Sequence, residues 1–254
     1  MSSIKLKSAF DAVVETYDQS AELQHKVAHQ LIKNWIVSCQ RSSWIDLGAG
    51  TGAVSLLLEK NNQLQCALDL SFQMCRKIYQ KNKISVINAD IENLPFAHSS
   101  IQNIVSSFAL HWCNPLKAIK EISRINTEKG YFIAAIPIAG SLEELINAGQ
   151  ESKLMPNLYG FPSQQEWFNA LSLADFNVQR FEISYEKLEC ESVKDLRNLF
   201  RSMGGHVARI SGAGLIGKYQ WQKFLQAMEQ FRHPTGQLRL YYKVLWICAQ
   251  RCPI

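Results

Sequence analysis

Ser43-Trp44-Ile45-Asp46-Leu47-Gly48-Ala49-Gly50-Thr51-Gly52 is an apolar strand-forming run that ends in a glycine cluster. The apolar residues Leu56-Leu57-Leu58 follow at helical distance. Glycines at the end of a strand let the backbone approach a ligand closely, and the next helix aims its N-terminal N–H groups at it. The spacing is G-x-G-x-G rather than G-x-G-x-x-G, which turns the reading away from a nicotinamide dinucleotide. Taken alone, the turn reads equally as a tight strand-to-helix connection.

Moving outward, helical and extended patterns alternate. Residues 8–40 read as helical, with Phe10, Val13, Val14 and Tyr17, then Val27, Leu31, Ile32 and Trp35, at three- and four-residue spacing. Leu64, Cys66 and Leu68 alternate with polar residues as a second strand ending at Asp69, and a helix is expected over 72–81. Ile84–Ala89 reads as a third strand closed by Asp90, and Ile101–Phe108 as a fourth. A helix over 115–125, with Gly130 marking its end, leads to a fifth strand, Tyr131–Ile136. Residues 141–149, 163–172, 192–203 and 219–231 read as helices, Val178–Tyr185 and Leu240–Ala249 as the last two strands. Strands alternating with helices at this spacing imply an α/β fold: a seven-stranded, mostly parallel sheet with helices on both faces. The expected organisation is one domain over 1–254. It has an N-terminal helical cover over 1–40, a core over 41–140, and a helical insertion over 190–236 before the last strand.

Three acids fall at the ends of the first three strands: Asp46, Asp69 and Asp90. Open α/β sheets bind ligands at the carboxyl ends of their strands, and Asp69 stands where a carboxylate accepts ribose hydroxyls. Asp90, with Ile91 beside it, suits the amino group and face of an adenine. Each acid alone reads equally as a helix N-cap; the three together, in this order and spacing, favour a nucleoside site.

This set resembles the S-adenosylmethionine site of class I methyltransferases, over residues 40–140. The motifs are Asp46–Gly52, Leu68-Asp69-Leu70-Ser71, Ala89-Asp90-Ile91-Glu92-Asn93-Leu94-Pro95-Phe96 and Ser107-Phe108-Ala109-Leu110-His111-Trp112. The resemblance implies a Rossmann-like fold and S-adenosylmethionine as cofactor. It implies Asp46, Gly48, Gly50, Gly52, Asp69, Leu70, Asp90, Ile91 and Ser107 as cofactor-binding residues. The segment ending at Trp112 then lies between methyl donor and acceptor. Glu121–Ile125 is similar to the family's helix before the fifth strand, with Arg124 structural rather than catalytic.

A narrower resemblance runs over most of the chain, to the malonyl-[acyl carrier protein] O-methyltransferases of biotin synthesis. It is carried by Phe10, Tyr17-Asp18, Ala21 and Leu23-Gln24, by Leu94-Pro95-Phe96, and by Gly140–Leu145. Phe161-Pro162-Ser163, Leu196-Arg197, Phe200-Arg201, Met203-Gly204-Gly205 and Gly236–Tyr242 belong to it too. Ala49, His111 and Tyr241 stand where that family often has Cys, Gln and Thr. The implied reaction is methyl transfer to the free carboxyl of a malonyl thioester on acyl carrier protein. Tyr17, His111 and Trp112 are then candidates for the catalytic site, and Gln24 for the methionyl end of the cofactor. Arg197 and Arg201, one turn apart, are candidates for gripping the malonyl carboxylate, and read equally as a solvated face or a carrier contact. Another small-molecule methyltransferase of this fold, or a cofactor-binding assembly factor, are the rival readings.

Composition narrows the rest. The chain has 254 residues, 47% hydrophobic and 19% charged, which excludes a disordered protein, and it lacks an apolar run of about 18 residues, which argues against a membrane span. Its seven cysteines form no C-x-x-C, so a metal site is not expected, and they read as small buried hydrophobes in a reducing, cytoplasmic setting. No apolar leader stands at the N-terminus. The net charge of +5 is unevenly placed: residues 192–254 hold ten Lys+Arg against two Asp+Glu, net +8, leaving net −3 for the rest. An acidic carrier protein suits that basic segment. A nucleic-acid partner is not expected, because no recognisable binding motif occurs. A monomer is the expected state.

Overall fold

The computed structural model describes residues 3–36, 43–154, 156–157, 160–202, 209–210 and 217–253. Met203-Gly204-Gly205 and Cys39 lie outside the described residues. The strands are β1 (Trp44–Leu47), β2 (Leu64–Asp69), β3 (Val86–Asn88), β4 (Ile101–Ser107), β5 (Asn126–Pro137), β6 (Pro156–Asn157), β7 (Phe176–Cys190), β8 (Arg209–Ile210) and β9 (Leu238–Arg251). The α-helices are α1 (Ser3–Asp11), α2 (Tyr17–Ser20), α3 (Glu22–Leu31), α4 (Ala53–Lys60) and α5 (Phe72–Asn82). They continue with α6 (Pro115–Ile125), α7 (Glu143–Ser152), α8 (Gln164–Leu173), α9 (Val193–Ser202) and α10 (Lys218–Glu229).

Seven strands form one sheet in the order β3-β2-β1-β4-β5-β9-β7. Every pairing from β3 to β5 is parallel, and β9 runs antiparallel to both β5 and β7. The chain order reverses between β1 and β4, which opens the crevice where such sheets take ligands. Strand residues alternate between two layers of core. Trp44, Val105, Ile133 and Trp246 pack with α3, α4, α7, α9 and α10, while Ile45, Leu47, Ile104, Phe132 and Leu245 pack with α6 and α8. Helices on both faces leave β1 buried along its whole length, Asp46 included.

Three expectations need correction. The helical pattern over 8–40 is broken: α1 stops at Asp11, a turn carries residues 12–16, and a π-turn over Ile32–Ile36 follows α3. Val13 and Val14 are buried in that turn, and Thr16 Oγ1 donates to the Val13 carbonyl at 3.2 Å. Gly130 does not end α6; it lies inside β5, where a Cβ would sit 2.3 Å from the Gln102 carbonyl oxygen. Asn126 takes over at the helix end, and its amide donates to the carbonyls of Ile101 and Gln102. The third strand is shorter than its apolar pattern suggests, Val86–Asn88 rather than 84–89.

No helix among the described residues is long and apolar enough to cross a membrane. The described cysteines are all free.

Candidate active site

At the carboxyl end of β1 the chain turns through Gly48 (φ +73°) and Gly50 (φ +57°), conformations that side chains disfavour. A Cβ on Gly48 would lie 2.2 Å from the Cβ of Ala109, so this glycine lets the first loop and the loop after β4 touch. The amides of Gly48 and Ala49 both donate to the Leu68 carbonyl, at 2.8 and 2.9 Å, which ties the turn to β2. The Gly50 amide donates to Asp69 Oδ2 at 2.8 Å, and the Ser71 amide donates to Asp69 Oδ1 at 2.8 Å. Both carboxylate oxygens are thus held, and each keeps capacity to accept a further hydrogen bond.

The crevice is a cavity open to solvent. Asp46, Gly48, Gly50, Asp69, Leu70, Asp90, Ile91 and Ser107 line it from the sheet ends. Tyr17 and Gln24 line it from the N-terminal cover, and Trp112 from the short 3₁₀ turn Leu110–Trp112. Burial pushes Asp69 up to about 6, opposed by its two amide donors and reinforced by the charge of Asp11. Asp46 is 1% exposed and accepts a 2.6 Å hydrogen bond from Ser55 Oγ; burial still pushes it up to about 7, beyond what that bond offsets. Among the described residues no Lys or Arg lines the cavity, so the field there is that of carboxylates and favours a cationic ligand. The Ser107 hydroxyl is buried with no hydrogen-bond partner among the described residues. An orphaned hydroxyl, a glycine cradle and a carboxylate clamped for diol acceptance fit a bound S-adenosylmethionine.

Four expected site residues do not line the cavity. Gly52 (φ +96°) is the N-cap of α4, and the space for its Cβ is bounded by Ile78 and Leu56, so it shapes the turn from behind. His111 stands behind Trp112 rather than on the cavity wall. Its ring packs among Phe108, Trp112 and Phe161, and burial pushes it down to about 3, which makes it neutral. Arg197 and Arg201 lie exposed on α9, because Val193, Leu196 and Phe200 give that helix its buried face. Arg124 is structural: it pairs with Glu121 at 2.7 Å and donates to the carbonyls of Phe96 and Leu94, pinning the loop after Asp90.

One further wall comes from the first helix of the N-terminal cover. Phe10 of α1 closes over the crevice with its ring edge-on to Trp112, centroids 5.9 Å apart. Phe108 lines the wall at φ +53°, an uncommon backbone state for an aromatic residue. Phe10 was legible as an apolar helix position; nothing in local sequence marks Phe108 as strained.

The glycine turn, the clamped Asp69 carboxylate and the strand order define a class I S-adenosylmethionine-dependent methyltransferase. Residues 45–134 match the model of the methyltransferase domain family. The chain belongs to the family of the malonyl-[acyl-carrier protein] O-methyltransferases. It is 30% identical to the Herminiimonas arsenicoxydans protein of that name over 97% of this chain and 95% of that one. Its identity to the Alcanivorax borkumensis relative of the same name is also 30%, over 95% of this chain and 84% of that one. In fold it is similar to a methyltransferase structure from Bacillus halodurans, with TM-score 0.62 and 12% identity, covering 90% of this chain and all of that one.

Proposed function

We propose that this protein transfers the methyl group of S-adenosylmethionine to the free carboxyl of a malonyl thioester on acyl carrier protein, an early step of biotin synthesis. One observation carries the reading: likeness to relatives named for that reaction extends over 97% of the chain. It therefore takes in the cover and the insertion as well as residues 45–134, the part common to methyltransferases. On this reading residues 1–254 are one domain, with cover 1–40, core 41–140 and insertion 190–236.

The cofactor, when bound, supplies an electrophilic methyl group on a sulfonium. A carboxylate acceptor, with a reference pKa near 4, is already ionised at pH 7, so the protein needs no strong base. The neutrality of His111 agrees with that economy. What remains is positioning and water exclusion, with the acceptor oxygen about 3 Å from the methyl carbon. Asp69 takes the ribose diol, Asp90 and Ile91 the adenine, and Gln24 the methionyl end. Tyr17 and Trp112 enclose the space between donor and acceptor, with His111 backing Trp112.

The carrier side is supported by charge. Lys194, Arg197 and Arg201 share one exposed face of α9 and form no ion pair among the described residues. Arg232, Arg239 and Arg251 are instead neutralised by Glu229, Glu189 and Asp175. The α9 stripe is thus free to meet an acidic partner, while the pairing elsewhere disperses the basicity. Arg197 and Arg201 are reassigned from the malonyl carboxylate to this carrier contact. The cytoplasm, where thiols stay reduced, is the proposed address.

Incubating the protein with malonyl-carrier protein and S-adenosylmethionine should add about 14 Da to the carrier by intact mass. The added mass should disappear on ester hydrolysis. No gain on a competent carrier would overturn the reading.

A further inference from the structure

Helix α1 roofs the cofactor cavity with Ser3, Leu6 and Phe10, yet it buries none of its own residues. Nine residues are too few for a stable isolated helix in water. Polar contacts to α5, the helix that begins directly after the ribose-side carboxylate, tie down the last residue of α1, the turn that follows it and α2. Asp11, its last residue, has Oδ1 accepting from Ser71 Oγ at 2.6 Å and from the Gln73 amide at 3.2 Å. Ser71 is fully buried and is the N-cap of α5, its Oγ accepting from the Met74 amide at 3.1 Å. The Ser71 backbone amide is the donor that holds Asp69 Oδ1. One turn further along α5, Lys77 Nζ donates to the Val14 carbonyl at 2.5 Å and reaches Asp18 at 3.5 Å, while Lys81 reaches Asp18 at 3.9 Å.

We propose that Asp11 is a positioning residue for the methyl donor: by gripping Ser71 it couples closure of the cover to the placement of Asp69. The coupling runs through a continuous path, from the Asp11 carboxylate to the Ser71 hydroxyl, and from the Ser71 amide to the Asp69 carboxylate. With the cover docked, Ser71 is fixed on both sides and Asp69 Oδ1 is held for the ribose. With the cover away, Ser71 keeps its cap to Met74 but loses its outer partner, and Phe10 leaves Trp112. Cofactor under the roof and roof on the cofactor therefore stabilise each other, which is linkage between ligand binding and local order. The inference rests on the cofactor site and is independent of which acceptor the enzyme uses.

The test is a double-mutant cycle on S-adenosylmethionine binding by titration calorimetry, with cofactor release by stopped flow. Asp11→Ala and Ser71→Ala should each weaken binding about tenfold, mostly through faster release, and the double variant should be no weaker than the worse single. Ser71→Thr, which keeps both hydroxyl contacts, should bind within about twofold of the parent, and separates loss of the latch from general loss of folding. Hydrogen exchange gives the readout that a merely structural role would not move. Amides of α1 should gain protection when cofactor binds the parent, and that gain should vanish in Asp11→Ala. Additive losses in the cycle, or ligand protection of α1 that survives Asp11→Ala, would overturn the proposal.

Discussion

Replacing Gly48 by alanine attacks the site at its tightest backbone contact. The residue sits at φ +73°, where an L side chain costs about 1–2 kcal/mol. The new Cβ would also meet the Ala109 Cβ at 2.2 Å. That neighbour is the first atom of a short side chain, so relief requires the loop after β4 to move, at about 1–3 kcal/mol as for other overpacked sites. The expected loss is therefore about 2–5 kcal/mol, or roughly 10 °C in the thermal midpoint for a domain of this size. Gly236 supplies the control: it has φ +94° and nothing within 4 Å of its Cβ position, so Gly236→Ala should lose only the conformational part, about 1–2 kcal/mol. Ala109→Gly placed on Gly48→Ala should restore the steric part and leave the conformational part. Urea unfolding measures all four proteins, and calorimetry with S-adenosylhomocysteine reports whether the cradle still accepts a ligand. Equal losses for Gly48→Ala and Gly236→Ala, or no recovery with Ala109→Gly, would refute the reasoning.

Asp46 and Asp69 have folded-state pKa values of about 7 and about 6 against an ordinary 3.8. The native state therefore holds protons more tightly, and the stability of the ligand-free protein should fall as pH rises from about 4 to about 7. Asp46→Asn should flatten that slope in urea unfolding; an equally steep slope would remove Asp46 as its source. With Asp69 in its proposed role toward the ribose, cofactor affinity should weaken below about pH 6, with proton release visible as a buffer-dependent binding enthalpy. Identical affinities at pH 5.5 and 7.5 would contradict this. With His111 pushed down to about 3, the profile of kcat/KM should have no inflection near pH 6.5 that His111→Gln abolishes. Charge reversal at Arg197 and Arg201 should raise KM for the carrier protein and flatten its salt dependence, while cofactor affinity stays put. An unchanged carrier KM would detach α9 from the carrier.

The part of the site built on strand ends was legible, because Asp46, Asp69 and Asp90 lie in or just after the last residues of short apolar runs and the parallel order brings those ends together. The roof was legible only in outline. Phe10 and Tyr17 stand out by spacing, but Asp11 finds its partner Ser71 sixty residues away, and no local pattern announces such a pair. His111 and Trp112 are adjacent in sequence on one tight turn, and only packing against Phe161 decides which of the two faces the cavity. Arg197 and Arg201 carried a signal that was there to use. The apolar set Val193, Leu196 and Phe200 already claims the inner face of α9, which leaves the basic residues outward. Gly130 misled because glycine after a helix usually ends it, whereas here close approach of β5 to the Gln102 carbonyl is the stronger demand.

β9 comes last among the strands in chain order yet lies inside the sheet, hydrogen-bonded to β5 on one flank and β7 on the other. During synthesis both flanks must wait for it. Until residues 238–251 clear the ribosome, β5 and the fifteen-residue β7 each present a bare edge of unpaired amides and carbonyls. A nascent chain of this protein is thus a half-zipped sheet, a form that invites pairing with other chains and gives chaperones something to hold. Shortening or mutating the end of the chain would be felt in the middle of the fold, and yield in cells should be more sensitive to changes in β9 than to equal changes in the edge strand β3.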